Sequence, residues 1–205
     1  MSFCGFFILV NNMKNFILFG LLVVVGVYLY LNSDYHNLKC VIARKDGNTY
    51  CVRDNAKTQE RAELLAEATS RMKELVEYLK REMPNDERVK RLVKNFNPTR
   101  IVETLPTSEH TAYSEDKGKK LAFCLEKYKG KSKLIDINTL MFVSLHELGH
   151  LMTVSVGHES DFWRNFRFLL KHAVKLGIYE PVDYGKSPEP YCGMQLTDNP
   201  LIDMK

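Results

Sequence analysis

The chain of 205 residues has no CxxC pair. Its five cysteines, Cys4, Cys40, Cys51, Cys124 and Cys192, are odd in number and widely spaced. That pattern argues against a small disulfide scaffold and reads mostly as free thiols in a reducing compartment. Cys40 and Cys51 flank a hairpin and would pair if the domain faced an oxidising lumen. Strong charge of one sign is missing as well: a formal net charge of +4 is too small to argue for nucleic acid by itself. There is no internal repeat and no low-complexity tract. With 45% hydrophobic and 26% charged residues, the composition is that of a globular chain and excludes disorder.

The hydrophobic residues are unevenly placed. Phe16 to Leu31 reads FILFGLLVVVGVYLYL without a charge, after a shorter apolar run from Phe3 to Val10. At 1.5 Å per residue the main run spans about 24 Å, short of a hydrocarbon core of about 30 Å. Asn32, Ser33, Tyr28, Tyr30 and Tyr35 would sit at the interface, and a thin internal membrane would tolerate the mismatch. No A-x-A-like cleavage site follows Leu31. The run therefore reads as an uncleaved single-pass anchor, with residues 1–33 as the anchor segment and 34–205 as one soluble domain. A cleaved signal with Lys14 as its basic end and a buried core helix are the alternatives. Lys39, Arg44 and Lys45 outnumber Lys14, which leans toward a cytoplasmic domain.

The soluble part alternates strand and helix signals. Cys40 to Arg53 predicts a hairpin turning at Asp46-Gly47. Leu65, Ala68, Met72, Leu75, Val76, Leu79 and Met83 predict an amphipathic helix over about 56–82, stopped by Pro84. Asp86 is placed to cap a shorter helix. Strands are expected over 100–105, 112–114, 120–126 and 134–135. Asp136 would cap a helix from about Ile137 to Ser155 with Gly157 as its breaker, and another helix would run from Ser160 to Leu176. The proline-rich tail should be irregular. The order is α+β, a small sheet with helices segregated around it.

His146-Glu147-Leu148-Gly149-His150 carries the chemistry. Histidines four apart on a helix present both imidazoles to one ion. Glu147 beside them can take a proton from water without being a ligand, which is the chemistry of HExxH zinc hydrolases. Leu140, Met141, Phe142, Val143, Leu145, Leu148, Leu151 and Met152 make the helix apolar on most sides, and polar groups on a buried helix need partners. For the third ligand, position 156 is Val156, and no acid lies about 20 residues after His150. His158, just past Gly157, is the best candidate. Glu159 and Asp161 are weaker ones, and either could instead hold an imidazole in place.

His146-Glu147-Leu148-Gly149-His150, then Gly157-His158 and Asp161-Phe162-Trp163, resembles the WLM and SprT-like zinc peptidases, and in particular membrane-anchored WLM-like proteins of large DNA viruses. The likeness covers roughly residues 113–200. It implies a minimal zincin-like domain, Zn²⁺ held by His146, His150 and His158, a catalytic Glu147 and protein or peptide substrates, in a host or virion membrane. The chain departs in the seven-residue gap between His150 and His158. A transmembrane segment is foreign to the DNA-repair members.

Leu121 to Leu125 is the strand expected to align substrate by strand addition. Tyr179, Tyr184 and Tyr191 follow the ligands and would either reach back to an oxyanion or pack. Cys192 would be a small buried thiol, or a zinc ligand holding the enzyme off. Lys117, Lys119, Lys120, Lys127, Lys129, Lys131 and Lys133 form a basic stretch, read first as a solvated loop and second as a contact for nucleic acid or anionic lipid. Phe162, Trp163 and Phe166 read as core. Two other functions fit the same residues: a catalytically silent membrane protein that keeps zinc for structure, and a module tethering nucleic acid or lipid.

Overall fold

The computed structural model describes residues 3–31 and 38–202, which fall into two compact units, residues 1–36 and residues 37–205. The first unit is helix α1 (Phe3–Leu31). Apolar side chains from Phe16 to Tyr30 are exposed on every side of it, as with Phe16 at 76% and Val24 at 68%. The single-pass span expected over residues 16–31 is not met: its apolar run is short, and among the described residues no helix is long and apolar enough to cross a membrane. Asn32, Ser33, Tyr35, the boundary at 33/34 and the Cys4 side chain lie outside the described residues.

The second unit is α+β. It opens with the hairpin β1 (Leu38–Ile42) and β2 (Thr49–Arg53). Asp46 and Gly47 do form its tip: Gly47 has φ +72°, and the Asp46 carboxylate accepts from Asn48 N at 3.0 Å and Tyr50 Oη at 2.7 Å. Helix α2 (Thr58–Glu82) turns Leu65, Met72, Leu75 and Leu79 inward, all fully buried. Helix α3 (Glu87–Asn95) is capped by Asp86, whose side chain accepts from Arg88 N.

A three-stranded sheet follows in the order β3 (Ile101–Glu103), β5 (Lys120–Phe123), β4 (Ala112–Glu115). β3 runs parallel to β5, and β4 runs antiparallel to it. The single strand expected over 120–126 is two. It breaks after Phe123, and β6 (Glu126–Tyr128) turns at Gly130 into β7 (Lys131–Leu134). Helices α4 (Ile137–Met152) and α5 (Ser160–Lys175) pack on one another.

Two expectations fail here. The tail is not irregular: β8 (Glu189–Tyr191) and β9 (Met194–Leu196) form a hairpin through Cys192-Gly193. Both turn residues have positive φ, +52° and +86°, as a two-residue loop between twisted strands requires. The cysteines are not mostly free thiols either. Cys40 faces Cys51 across β1 and β2 and is bonded to it, and Cys124 is bonded to Cys192. The odd count hid one local pair and one distant pair, and only the fold brings the distant positions, 68 residues apart, within 6.0 Å.

A ring of four buried charges joins these elements. Arg61 of α2 is fully buried and pairs with both Glu103 of β3 and Glu126 of β6. Arg53 of β2 reaches Glu126 at 2.8 Å and donates Nε to Thr104 O at 3.0 Å. Glu103 accepts from Arg53 N, and Glu126 accepts from Gly130 N. Two cations meet two anions, so the ring is neutral and closed, which is what burial of charge demands.

Candidate active site

Helix α4 carries the HExxH segment inside the domain. Asp136 caps it by accepting from Thr139 N at 2.9 Å. Leu140, Met141, Leu145, Leu148, Leu151 and Met152 are fully buried around it. The helix ends at Met152, three residues short of the expected Ser155. The freed segment then folds back over the histidines. Thr153 Oγ1 donates to Gly149 O at 2.7 Å and accepts from Asn165 Nδ2 at 2.8 Å. Ser155 Oγ donates to Asp161 Oδ1 at 2.5 Å. Gly157, at φ +83°, supplies the left-handed bend that other residues rarely adopt.

That bend brings the third histidine home. His158 Nε2 lies 2.9 Å from His146 Nε2, and His150 Nε2 lies 3.2 Å from it. Among the described residues these three are the group placed to hold a metal ion. Glu159 and Asp161 are not part of it; Asp161 instead fastens the loop through Ser155 and accepts from Phe162 N.

The donor set fits zinc. Zn–N bonds of about 2.0–2.1 Å in a tetrahedron put ligand nitrogens about 3.3 Å apart, close to the two separations found. The single position on His146 Nε2 cannot serve two neighbouring nitrogens well by hydrogen bonding. A cation shared by three lone pairs satisfies all of them. Three protein ligands leave a fourth position open, whereas structural zinc sites are usually closed by four.

His146 and His150 are kept neutral, as ligation needs. Burial, reinforced by the charges of His150 and His158, holds His146 down at about 3. Burial, then His158 and Lys117, hold His150 at about 4. Glu147, 5% exposed, is moved the other way by burial alone, up to about 7. A base poised near neutrality suits proton transfer at physiological pH.

Phe162 of α5 is the floor under all three rings. It stacks on His150 at 4.3 Å and meets His146 and His158 edge-on at 4.8 and 4.6 Å. Reading it as core missed this second role. Gly149 makes the approach possible, since a Cβ there would lie 3.2 Å from the Phe162 ring.

The histidines and Glu147 open into a cavity of about 350 Å³ whose opposite wall is β4. β4 is the edge strand on the cavity side, while β5 lies between β3 and β4. Substrate alignment therefore cannot use residues 121–125 as expected, because both sides of β5 are already paired. Lys117 joins the wall from the β4–β5 turn, donating Nζ to Val154 O at 2.9 Å and Thr153 O at 3.3 Å. That turn has three successive positive φ values, Asp116, Lys117 and Gly118. Gly118 is obligatory: a Cβ there would meet Asn95 O at 2.1 Å. The sequence showed Lys117 only as one of a lysine run.

The remaining candidates are not part of the histidine cluster. Lys119, Lys120 and Lys127 pair with Asp116, Glu115 and Glu189, and Lys129 donates to Ser108 O, so the basic stretch is largely engaged within the domain. Tyr179 and Tyr184 pack on Phe142 at 6.0 and 4.9 Å. Tyr191 is buried and donates its hydroxyl to Thr111 O at 3.0 Å. Cys192 is bonded to Cys124 and is no zinc ligand.

No protein-family model matches the chain. The crystal structure of Wss1 from Saccharomyces cerevisiae superposes with a TM-score of 0.46 at 18% identity, over 62% of this chain and 87% of that one. That likeness is too slight to carry anything about the site. Two viral proteins are similar in sequence. Uncharacterized protein 136R of Invertebrate iridescent virus 6 is 38% identical over 63 residues, 30% of this chain and 35% of its own length. Uncharacterized protein R325 of Acanthamoeba polyphaga mimivirus is 30% identical over 189 residues, 88% of this chain and 94% of its own length. With that extent of shared sequence, the chain belongs to the same family as the mimivirus protein R325.

Proposed function

We propose that this protein is a zinc-dependent metallopeptidase that hydrolyses peptide bonds in protein substrates and is held at a membrane by its N-terminal helix. The observation that carries the reading is the convergence of His146, His150 and His158 beside a buried Glu147 in an open cavity. His146, His150 and His158 would hold a zinc ion, which would supply Lewis acidity there. Glu147 accepts the proton of the attacking water and returns it to the departing amine. The burial that raises its affinity for a proton fits both halves of that task. β4 offers free backbone groups along the cavity, so a substrate strand docks antiparallel to it and its scissile carbonyl faces the histidines.

The anchor rests on α1, whose apolar side chains are exposed all round. A stretch apolar on every side seeks apolar surroundings. No described helix is long and apolar enough to cross a membrane, so α1 would attach the domain to one without spanning it. The two disulfides bear on its orientation. Cytosolic thiols are kept reduced, so the crosslinks favour a domain facing an oxidising side, against the lean of the lysine count. The silent zinc protein is disfavoured by the intact Glu147 and the open fourth position. The nucleic-acid or lipid module is disfavoured by the engaged lysines.

The test compares the full chain in detergent with Glu147→Gln. Both should carry about one zinc, and only the wild type should cleave an unfolded protein substrate. Zinc in both with cleavage by neither would move the silent role ahead.

A further inference from the structure

A groove of about 250 Å³ lies between the end of α2 and α3, lined by Lys80, Pro84, Val89, Lys90, Val93 and Lys94. None of these residues lines the catalytic cavity. The floor is apolar: Val89 is buried and Val93 half-buried, one turn apart on α3, with Pro84 beside them just past α2. Lys90 and Lys94 are also one turn apart on α3, and Lys80 stands in the last turn of α2. Three cations and no acidic residue line the groove. Lys80 and Lys90 reach only Glu77 at 3.7 Å and Glu87 at 2.7 Å, each within its own helix and exposed. Such pairs contribute little and exchange readily. Among the described residues Lys94 forms no ion pair.

The far side of α3 is fixed to the domain. Arg91 Nε donates to Met152 O and Asn95 Nδ2 donates to Leu151 O, both at 3.0 Å. A groove whose wall is already held loses little entropy when a ligand docks.

The lining selects the occupant. The apolar floor accepts an apolar side chain, and the volume suffices for a leucine or phenylalanine, since an engineered cavity of about 150 Å³ takes a benzene. The lysines call for carboxylates around that side chain. A bilayer would need apolar side chains that protrude, and among the described residues of α2 and α3 no large hydrophobic one is exposed. Nucleic acid would need aromatic faces for its bases, and none lines the groove.

We infer that the α2–α3 groove docks an acidic segment of a partner protein, with one leucine- or phenylalanine-sized side chain on the apolar floor and aspartate or glutamate carboxylates at Lys80, Lys90 and Lys94. This is the helix-in-groove mode of recognition with a charged rim. The inference does not depend on the peptidase reading.

The test titrates the full chain, in zwitterionic detergent and labelled at its valine methyls, with a short synthetic peptide that sets Leu and Phe among glutamates. The Val89 and Val93 methyl resonances should move, and the affinity should fall as salt is raised. Glutamine for glutamate in the peptide should weaken binding by roughly tenfold or more, and so should the double change Lys90→Glu with Lys94→Glu in the protein. Lys94→Gln alone should weaken it less. Both lysines are exposed, so the variants should melt like wild type. Serine for Leu and Phe in the peptide should abolish the methyl shifts. Unmoved valine methyls, binding that the charge-reversed variant keeps, or equal binding of the serine peptide would overturn the inference. Methyl shifts produced by phosphatidylglycerol bicelles and not by the peptide would overturn it too, and would make this face a membrane contact.

Discussion

Two regions of this domain bury ionisable groups, and they do so in opposite ways. At the ring of Arg53, Arg61, Glu103 and Glu126, each charge meets its opposite and backbone groups take up what is left over. At His146, Glu147, His150 and His158 no ion pair forms, and the nearby Lys117 ammonium is engaged by the Thr153 and Val154 carbonyls. Three lone pairs converge and a carboxyl is left near neutrality by burial alone. The first region is complete without a ligand and holds four elements together. The second offers three nitrogens that a cation could complete. Perturbed groups that lack internal compensation mark where a protein expects something to bind.

The ring should break hardest. Arg61→Met leaves two buried carboxylates facing Arg53 alone, and should destabilise the domain by about 3–5 kcal/mol in urea unfolding. Replacing all four members by apolar residues of similar volume should recover most of that. If the single change is silent, the ring does not hold the fold.

The metal site should respond with the opposite sign. In the chelator-stripped protein an unfolded chain releases the Glu147 proton near pH 4.5, and the folded chain releases it near 7. The contribution is present below about 4.5 and is lost as pH rises through 7. Glu147→Gln should therefore make the metal-free protein more stable than wild type at pH 8, by about 3 kcal/mol, with the gain fading by pH 4. Denaturation midpoints at the two pH values decide it, and an equal offset at both would contradict a buried, uncompensated carboxyl.

Gly149→Ala is next in size. Its methyl meets the Phe162 ring at 3.2 Å, and overpacking of this kind costs about 1–3 kcal/mol. Because that ring lies against all three imidazoles, zinc affinity should fall along with the melting temperature. The smallest effect should be Lys117→Met. It removes the ammonium that holds Thr153 and Val154 carbonyls, and zinc retention against a chelator should weaken by less than about tenfold.

What the sequence made legible follows the same division. The motif, its cap at Asp136 and the apolar surround of α4 are local, and local spacing carried them. His158 was reachable because Gly157 precedes it. The ring was hidden, since Arg61 looks like any charge on an amphipathic helix until β3 and β6 bring Glu103 and Glu126 to it. The tail hairpin was masked by its prolines, though Cys192-Gly193 is a serviceable two-residue turn. The role of β4 as the edge strand depended on sheet order, which alternation along one strand cannot reveal. Phe162 looked like core and is core; only the packing of α5 on Gly149 shows that it also carries the ligands.

The most direct test of the account is the coordination of zinc in the full-length protein. X-ray absorption at the zinc edge on the wild-type chain should show three imidazole nitrogens and one light oxygen donor, and His158→Ala should lose one imidazole and bind zinc far more weakly. A chain that takes up no zinc, or one whose zinc shell is unchanged in His158→Ala, would contradict it.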